Sequence, residues 1–231
     1  MFYSPYMGIQ PGIIFLIPAI LLAMYAQAKV QRNFNQYLHV ESIKGYTGAR
    51  AARLILDRSG LQHVVIEPTQ GYLSDHYDPR IKVLRLSPQV YHGTSIASVS
   101  VAAHEAGHAM QHDRGYVPLV LRNMIAPVAS FGSRAVWFLV FAGFVLGIGP
   151  LIDLGILFYI AAVVFQVITL PVEFNASARA LEQLELNGII TAPELQPSKK
   201  VLNAAALTYV AAMAVSLAQL LRLFMLRGRR D

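Results

Sequence analysis

The chain has 231 residues, of which 55% are hydrophobic and only 14% are charged, and its formal net charge is +6. A soluble globular domain typically contains about 25% charged residues, so this composition excludes an ordinary soluble globule, and it also excludes a disordered or collagen-like chain. The absence of cysteine excludes disulfides and thiolate metal ligands. In so apolar a chain, the positive charge favours a lipid bilayer as the partner, and no nucleic-acid partner is expected.

Four apolar segments are candidates for membrane-spanning helices, since a helix needs about 20 residues to cross the hydrocarbon layer. They cover residues 9–26, 135–149, 151–171 and 203–221, and the last could continue to residue 226. Between the second and third segments lies Gly149-Pro150, which together with Gly147 predicts the tight turn of a helical hairpin.

The distribution of Lys and Arg around these segments predicts the orientation of the chain. No charged residue precedes the first segment, whereas Lys29 and Arg32 follow it directly. We therefore expect residues 28–130 on the cytoplasmic face. Four complete crossings would put the basic residues between 222 and 230 on the opposite face, so either the fourth segment does not cross completely or the charge rule fails at one end.

The polar stretch between the first two segments is predicted to fold as helix, strand, strand and helix. The first predicted helix covers 48–58 and is capped by Thr47. Two strands follow, over 63–67 and 81–86, on either side of a polar loop over 74–79. The second helix runs from Thr94 or Ser95 to about His112, with Gly115 as its stop. The strand over 81–86 alternates apolar and basic residues. It could hold an extended substrate by backbone pairing or serve as a structural edge strand.

The most informative segment is His104-Glu105-Ala106-Gly107-His108, on the last of these helices. Residues four apart stand on one face of a helix, so the two imidazoles can bind one zinc ion. Glu105 would then lie beside the ion, where its carboxylate can accept a proton from bound water. The alternative is a pair of core or surface histidines with no metal.

A catalytic zinc needs a third protein ligand. His112 lies about 12 Å along the helix from His104, too far to share the ion unless the helix breaks. Glu173 is the favoured candidate because it directly follows the third apolar segment. The topology is an independent test, since the two predicted crossings between His108 and Glu173 are an even number and bring both to the same membrane face. Glu173 could instead be a solvated interfacial carboxylate or a helix N-terminal charge, and Glu182 and Glu185 are the reserve candidates.

Several of these segments together resemble one known family. The sequence Val101 to His112, the upstream Asp75-His76-Tyr77-Asp78-Pro79-Arg80 with Leu86-Ser87, and the later Glu173-Phe174-Asn175-Ala176-Ser177 are similar to the YugP-type bacterial membrane zinc metallopeptidases. The similarity spans nearly the whole chain, including the placing of the apolar segments. More distantly, the chain resembles the HtpX and CAAX-prenyl-protease gluzincins, in which an aspartate commonly stands where this chain has Ser177.

The resemblance implies a zinc-dependent endopeptidase with His104, His108 and Glu173 as metal ligands and Glu105 as general base. It implies a bacterial plasma-membrane location and membrane-associated or misfolded polypeptides as substrates. A peptidase also needs a hydrogen-bond donor for the negative charge of its tetrahedral intermediate, and the candidates are Arg179, His76 and Tyr77. An accessory protein or a second copy of the chain is a further expected partner.

The predicted fold is a mainly α membrane protein with about four transmembrane helices and a small α+β zincin-like catalytic domain at the membrane surface. The predicted division is an N-terminal transmembrane helix (1–27), a membrane-surface domain (28–130), a transmembrane hairpin (131–171), a third-ligand helix and loop (172–202) and a C-terminal transmembrane helix with a basic tail (203–231). Two other functions stay open. One is a catalytically silent zinc-binding scaffold, and the other is a metal transporter, which the absence of a second ligand cluster on the spans disfavours.

Overall fold

A computed structural model of the chain describes residues 12–228 and is mainly helical with one small sheet. The elements are α1 (Ile13–Leu38), α2 (Gly48–Arg58), β1 (Val65–Pro68), β2 (His76–Asp78), β3 (Val83–Leu86), α3 (Pro88–Tyr91), α4 (Ile96–Asp113), α5 (Val117–Leu146), α6 (Gly149–Leu186) and α7 (Ala192–Arg227).

Helices α1, α5, α6 and α7 are long and apolar enough to cross a membrane, which confirms the prediction of four such helices. Each extends beyond the apolar segment predicted for it, because the edge of the hydrocarbon layer does not by itself end a helix. The first segment was predicted to end at residue 26, but α1 continues to Leu38. Residues 9–11 of that segment lie outside the described residues.

The predicted position of the hairpin turn is wrong by two residues. Helix α5 ends at Leu146, and the turn consists of Gly147, with a φ of 73°, and Ile148. Gly149 and Pro150 already belong to the first turn of α6. A proline is well placed there because the first N–H groups of a helix have no partner within it, whereas only glycine adopts the positive φ of residue 147 without strain.

The described residues form two compact units. The first, which we call the helical unit, comprises residues 12–25, 122–168 and 209–228. Helices α5 and α6 approach closely in it, since a Cβ on Gly132 would lie 2.7 Å from the Phe158 carbonyl oxygen. At one end of this unit, Arg227 Nε donates to Asp153 Oδ1 at 2.7 Å, so the last residue of α7 lies beside the first turns of α6.

The second unit, which we call the mixed unit, comprises residues 26–121 and 169–208. Its sheet has the order β1-β3-β2, with β1 parallel and β2 antiparallel to β3. The predicted loop over 74–79 therefore contains a strand, β2, which was missed because three residues are too few to display an alternating pattern. The predicted strand over 81–86 begins only at Val83, because Lys82 has a φ of 54°.

The position of β3 contradicts both roles predicted for it. This strand is paired on both sides, with β1 and with β2. It is therefore neither an edge strand nor able to pair with an extended substrate.

Helix α4 lies at the centre of the mixed unit. Ser95 caps its N-terminus, where the side-chain oxygen accepts a hydrogen bond from the Ser98 N–H at 3.1 Å, and Gly115 follows its C-terminus with a φ of 58°. Its apolar side chains share one core with α2, the sheet and α6, and the fully buried members include Ile55, Leu56, Leu84, Leu86, Val99, Ala102, Ala106 and Leu184. This packing holds the predicted zinc-binding helix on a rigid support.

The contact between Asp153 and Arg227 generates a topological prediction. Because the chain has no cysteine, single-cysteine variants can be labelled without background. We expect Ile148→Cys and Gly228→Cys to react with a membrane-impermeant maleimide from the same side of the membrane, since both exposed residues lie at the end of the helical unit where Asp153 and Arg227 meet. The measurement is labelling in intact spheroplasts and in inverted vesicles, and labelling from opposite sides would contradict the fold of this unit.

Candidate metal centre

Three of the predicted site residues meet within the mixed unit. His104 and His108 stand one turn apart on α4, and Glu173 lies on α6. The Glu173 Oε2 atom lies 3.3 Å from His104 Nε2 and 3.5 Å from His108 Nε2. One potential ligand atom from each residue lies within 4.8 Å of the others. In the part of the chain that the structure describes, His112, Glu182 and Glu185 are not members of this group.

The donor set and its spacing fit a zinc ion. Zinc binds imidazole nitrogen and carboxylate oxygen at about 2.0–2.2 Å in a tetrahedral arrangement, so two neighbouring ligand atoms lie roughly 3.3–3.5 Å apart. The two distances between Glu173 Oε2 and the histidine nitrogens match that spacing. The Glu173 side chain is only 2% exposed, and a buried carboxylate needs a cationic partner. These three residues could hold the metal and leave a fourth position for water.

A glycine makes the meeting of α4 and α6 possible. A Cβ on Gly107 would lie 2.7 Å from the carbonyl oxygen of Ala176 on α6. No side chain is tolerated at that distance, so the glycine inside the zinc-binding segment permits the close helix approach that brings Glu173 to the histidines. The conformational cost of glycine in a helix, about 1 kcal/mol relative to alanine, is offset by this approach.

Each histidine has a polar partner for the ring nitrogen that faces away from Glu173. His104 Nδ1 lies 3.2 Å from the Ser177 hydroxyl, and His108 Nδ1 lies 3.0 Å from Gln111 Oε1. Metal-binding histidines usually donate their second N–H to such a partner, which orients the ring. Ser177 therefore contacts a proposed ligand at the position where the gluzincins commonly have an aspartate.

Gln111 was not predicted as a site residue. It is fully buried, and its Nε2 donates to the Val172 carbonyl oxygen at 2.8 Å and to Asn175 Oδ1 at 3.0 Å. The signal was available in its spacing, since a residue three positions after His108 and seven after His104 lies on the same helix face. Sequence reasoning could not determine which neighbour on α6 it would meet.

The charge of Glu105 acts on a second carboxylate, that of Asp75. The Glu105 side chain is largely buried, and its charge influences both His108 and Asp75. Burial raises the pKa of Asp75, against the effect of hydrogen bonds from Ser87, and the charge of Glu105 raises it further. Burial lowers the pKa of His108, but the contact with Glu173 and the charge of Glu105 outweigh it and raise the pKa overall in the metal-free protein. The charge of Glu105 thus acts on the histidine and, in addition, on a carboxylate that the sequence analysis did not assign.

The three candidate donors for the tetrahedral intermediate all have partners. Arg179 Nε donates to Asn175 Oδ1 at 2.7 Å, and His76 Nδ1 donates to the Ser74 carbonyl oxygen at 2.8 Å. The Tyr77 hydroxyl lies 3.0 Å from His112 Nδ1. Burial, with the charges of Asp113 and Asp78, raises the pKa of Tyr77 to about 12. Tyr77 and His112 also line a cavity of about 190 Å³ between the sheet and the C-terminal part of α4.

The close approach at Gly107 generates a prediction that separates helix propensity from packing. Gly107→Ala would stabilise an isolated helix by about 1 kcal/mol. In this protein we expect a lower melting temperature and zinc binding weakened by about tenfold or more, because the added methyl group displaces α4 from α6 and spreads the ligands. The measurements are thermal unfolding and zinc content of the protein in detergent. An alanine variant that is more stable and binds zinc normally would contradict this account.

Comparisons with known proteins identify the family of the chain. A family model described as "Putative neutral zinc metallopeptidase" matches residues 12–228. The chain is 52% identical over 217 residues to a Bacillus subtilis (strain 168) protein described as "Putative membrane protease YugP", an alignment that covers 93% of this chain and 96% of that protein. No solved structure matches the chain. These matches confirm the resemblance noted from the motifs, and the chain belongs to the YugP-type family of zinc metallopeptidases.

Proposed function

We propose that this protein is a membrane-embedded zinc endopeptidase of the gluzincin type. In this proposal His104, His108 and Glu173 bind the zinc, and Glu105 is the general base. The observation that carries it is the convergence of two imidazole nitrogens and one carboxylate oxygen from α4 and α6 within 4.8 Å. Membership of a zinc metallopeptidase family supports the same assignment.

The zinc and Glu105 have complementary roles in the proposed reaction. When bound, zinc lowers the pKa of a coordinated water from about 15.7 toward about 7 and polarises a carbonyl oxygen. The Glu105 carboxylate accepts a proton from the water that attacks the peptide carbonyl carbon. It then returns that proton to the nitrogen of the leaving group, so the C–N bond breaks with release of a neutral amine and not of an amide anion. The burial of Glu105 supports this role, because it keeps the carboxylate away from bulk water.

The substrate in this proposal is a membrane-associated or misfolded polypeptide held in an extended conformation. Since β3 is paired on both sides, the edge strands that could pair with a substrate are β1 and β2, each of which pairs with β3 among the described residues. We choose β2 because of its position next to the site. This strand packs against α4, the helix of the site. The proposed donors to the tetrahedral intermediate are still Arg179, His76 and Tyr77. The role is assigned by comparing kcat and KM of the variants Arg179→Gln, His76→Gln and Tyr77→Phe with those of the wild type.

A further proposal concerns the location, a bacterial plasma membrane with the zinc site on the cytoplasmic face. The four apolar helices support the membrane location, and Lys29 and Arg32 behind the first apolar segment support the orientation. The division of the chain into five parts and the presence of an accessory or second-copy partner are likewise proposals.

The proposed orientation generates a labelling prediction. We expect Lys44→Cys to be labelled by an impermeant maleimide in inverted vesicles and not in intact spheroplasts, and the reverse pattern would contradict the orientation.

The proposed base generates the central prediction. Glu105→Gln retains the shape of the side chain but cannot accept a proton, so we expect normal zinc content and cleavage of an unfolded test protein such as casein reduced by about 10²- to 10⁴-fold. Zinc content is measured by metal analysis of the purified protein, and cleavage is followed by gel electrophoresis.

The matched control is Glu173→Ala, which we expect to lose both zinc and activity. A Glu105→Gln protein that cleaves at the wild-type rate would show that the base is wrongly assigned. If zinc-loaded wild-type protein cleaves nothing, the scaffold alternative is favoured instead.

A further inference from the structure

The side chain of Gln111 links the two helices that supply the proposed zinc ligands. It projects from α4, is fully buried, and contacts Val172 and Asn175 on α6 as well as His108 on its own helix. Val172 directly precedes Glu173 in the chain. One amide group therefore touches a histidine of the proposed site and the backbone next to its carboxylate.

The chemistry of its neighbours determines the orientation of this amide. A main-chain carbonyl oxygen only accepts hydrogen bonds, so the atom of Gln111 that faces Val172 O at 2.8 Å must be the NH₂ nitrogen. Asn175 is oriented in the same way, because Arg179 Nε only donates and must therefore face the Asn175 oxygen, at 2.7 Å. That oxygen also accepts from Gln111 Nε2 at 3.0 Å.

It follows that the atom of Gln111 facing His108 is Oε1, which only accepts. His108 Nδ1, at 3.0 Å, must then carry the proton. A neutral imidazole has one protonated nitrogen, so Nε2 is left with its lone pair, and this is the nitrogen that faces Glu173 at 3.5 Å. The hydrogen bonds thus select the tautomer of His108 that can bind a metal through Nε2.

The other histidine lacks such a selection. His104 Nδ1 contacts the Ser177 hydroxyl, which can either donate or accept, so this contact is compatible with both tautomers. The buried amide is therefore the more specific of the two contacts.

We propose that Gln111 is a positioning residue that holds His108 in the Nδ1-protonated tautomer, with Asn175 and Arg179 orienting the amide from α6. This inference rests on the proposed function, in which His108 is a zinc ligand. The effect is on metal affinity, because a histidine without this partner must be oriented and restricted to one tautomer at the moment of binding.

Two substitutions of similar length distinguish this role from simple packing. Gln111→Met fills the space but makes no hydrogen bonds, and we expect the zinc dissociation constant to rise about 10- to 100-fold. Gln111→Glu loses the donor to Val172 but keeps an oxygen that accepts from His108 Nδ1, and we expect its zinc affinity to stay within about threefold of the wild type. A residue that only ties α4 to α6 would give weakened zinc binding in both variants, since both lose the donor to Val172 and the glutamate also adds a buried charge.

The measurement is competition for zinc with a chromophoric chelator, using the full-length protein in detergent, together with the melting temperature of the metal-free protein. The control variant is Ser100→Ala, which removes another buried polar side chain of α4 whose hydroxyl bonds only to the Ile96 carbonyl oxygen of the same helix. We expect its zinc affinity to change by less than about threefold.

The outcomes separate the inference from the proposed function. If Gln111→Met binds zinc like the wild type, or if Gln111→Met and Gln111→Glu are weakened equally, the role in tautomer selection is wrong. If the methionine variant does not fold, the glutamate variant still decides, because a loss of zinc affinity of tenfold or more contradicts the inference. If the wild type binds no zinc, or His108→Ala binds it equally well, the proposed function fails.

Discussion

The close contact between α4 and α6 is the constraint on which the proposed function depends. A carboxylate buried as deeply as that of Glu173 is unfavourable unless a cation or several hydrogen-bond donors compensate it. In the proposed site that cation is the zinc ion, and the Nε2 atoms of His104 and His108 lie from Glu173 Oε2 at the spacing that a tetrahedral metal requires. Only glycine at position 107 allows the helices to come this near. The ligand geometry is therefore a consequence of backbone packing and not of side-chain flexibility.

The polar groups around the site differ on the two sides of α4. Towards α6, the partners of the histidines are the neutral side chains of Ser177 and Gln111, which orient the rings without adding charge. The charge of Glu105 acts on a second carboxylate, that of Asp75, which accepts hydrogen bonds from Ser87 immediately after β3. In the proposed reaction, the histidines bind the metal and Glu105 handles the proton.

Four helices are long and apolar enough to cross a membrane, and the structure adds information on the fourth. The charge rule left open whether the fourth apolar segment crosses completely. The ion pair between Arg227 and Asp153 brings the end of α7 next to the beginning of α6, which favours a complete crossing. With residues 28–130 on the cytoplasmic face, as proposed, the basic C-terminal end would be the place that departs from the charge rule.

The sequence by itself determined the features that depend on local spacing. These include the two histidines on one helix face, the ends of α4 at Ser95 and Gly115, and the four apolar helices. The choice of Glu173 over its reserves also came from the sequence, because Glu173 directly follows the third apolar segment. Only the tertiary structure decided the central position of β3, the strand β2 within a predicted loop, and the contacts of Gln111 and Asp75. The physical reason is that strand order and contacts between helices join residues far apart in the chain, and neither periodicity nor composition contains information about such pairs.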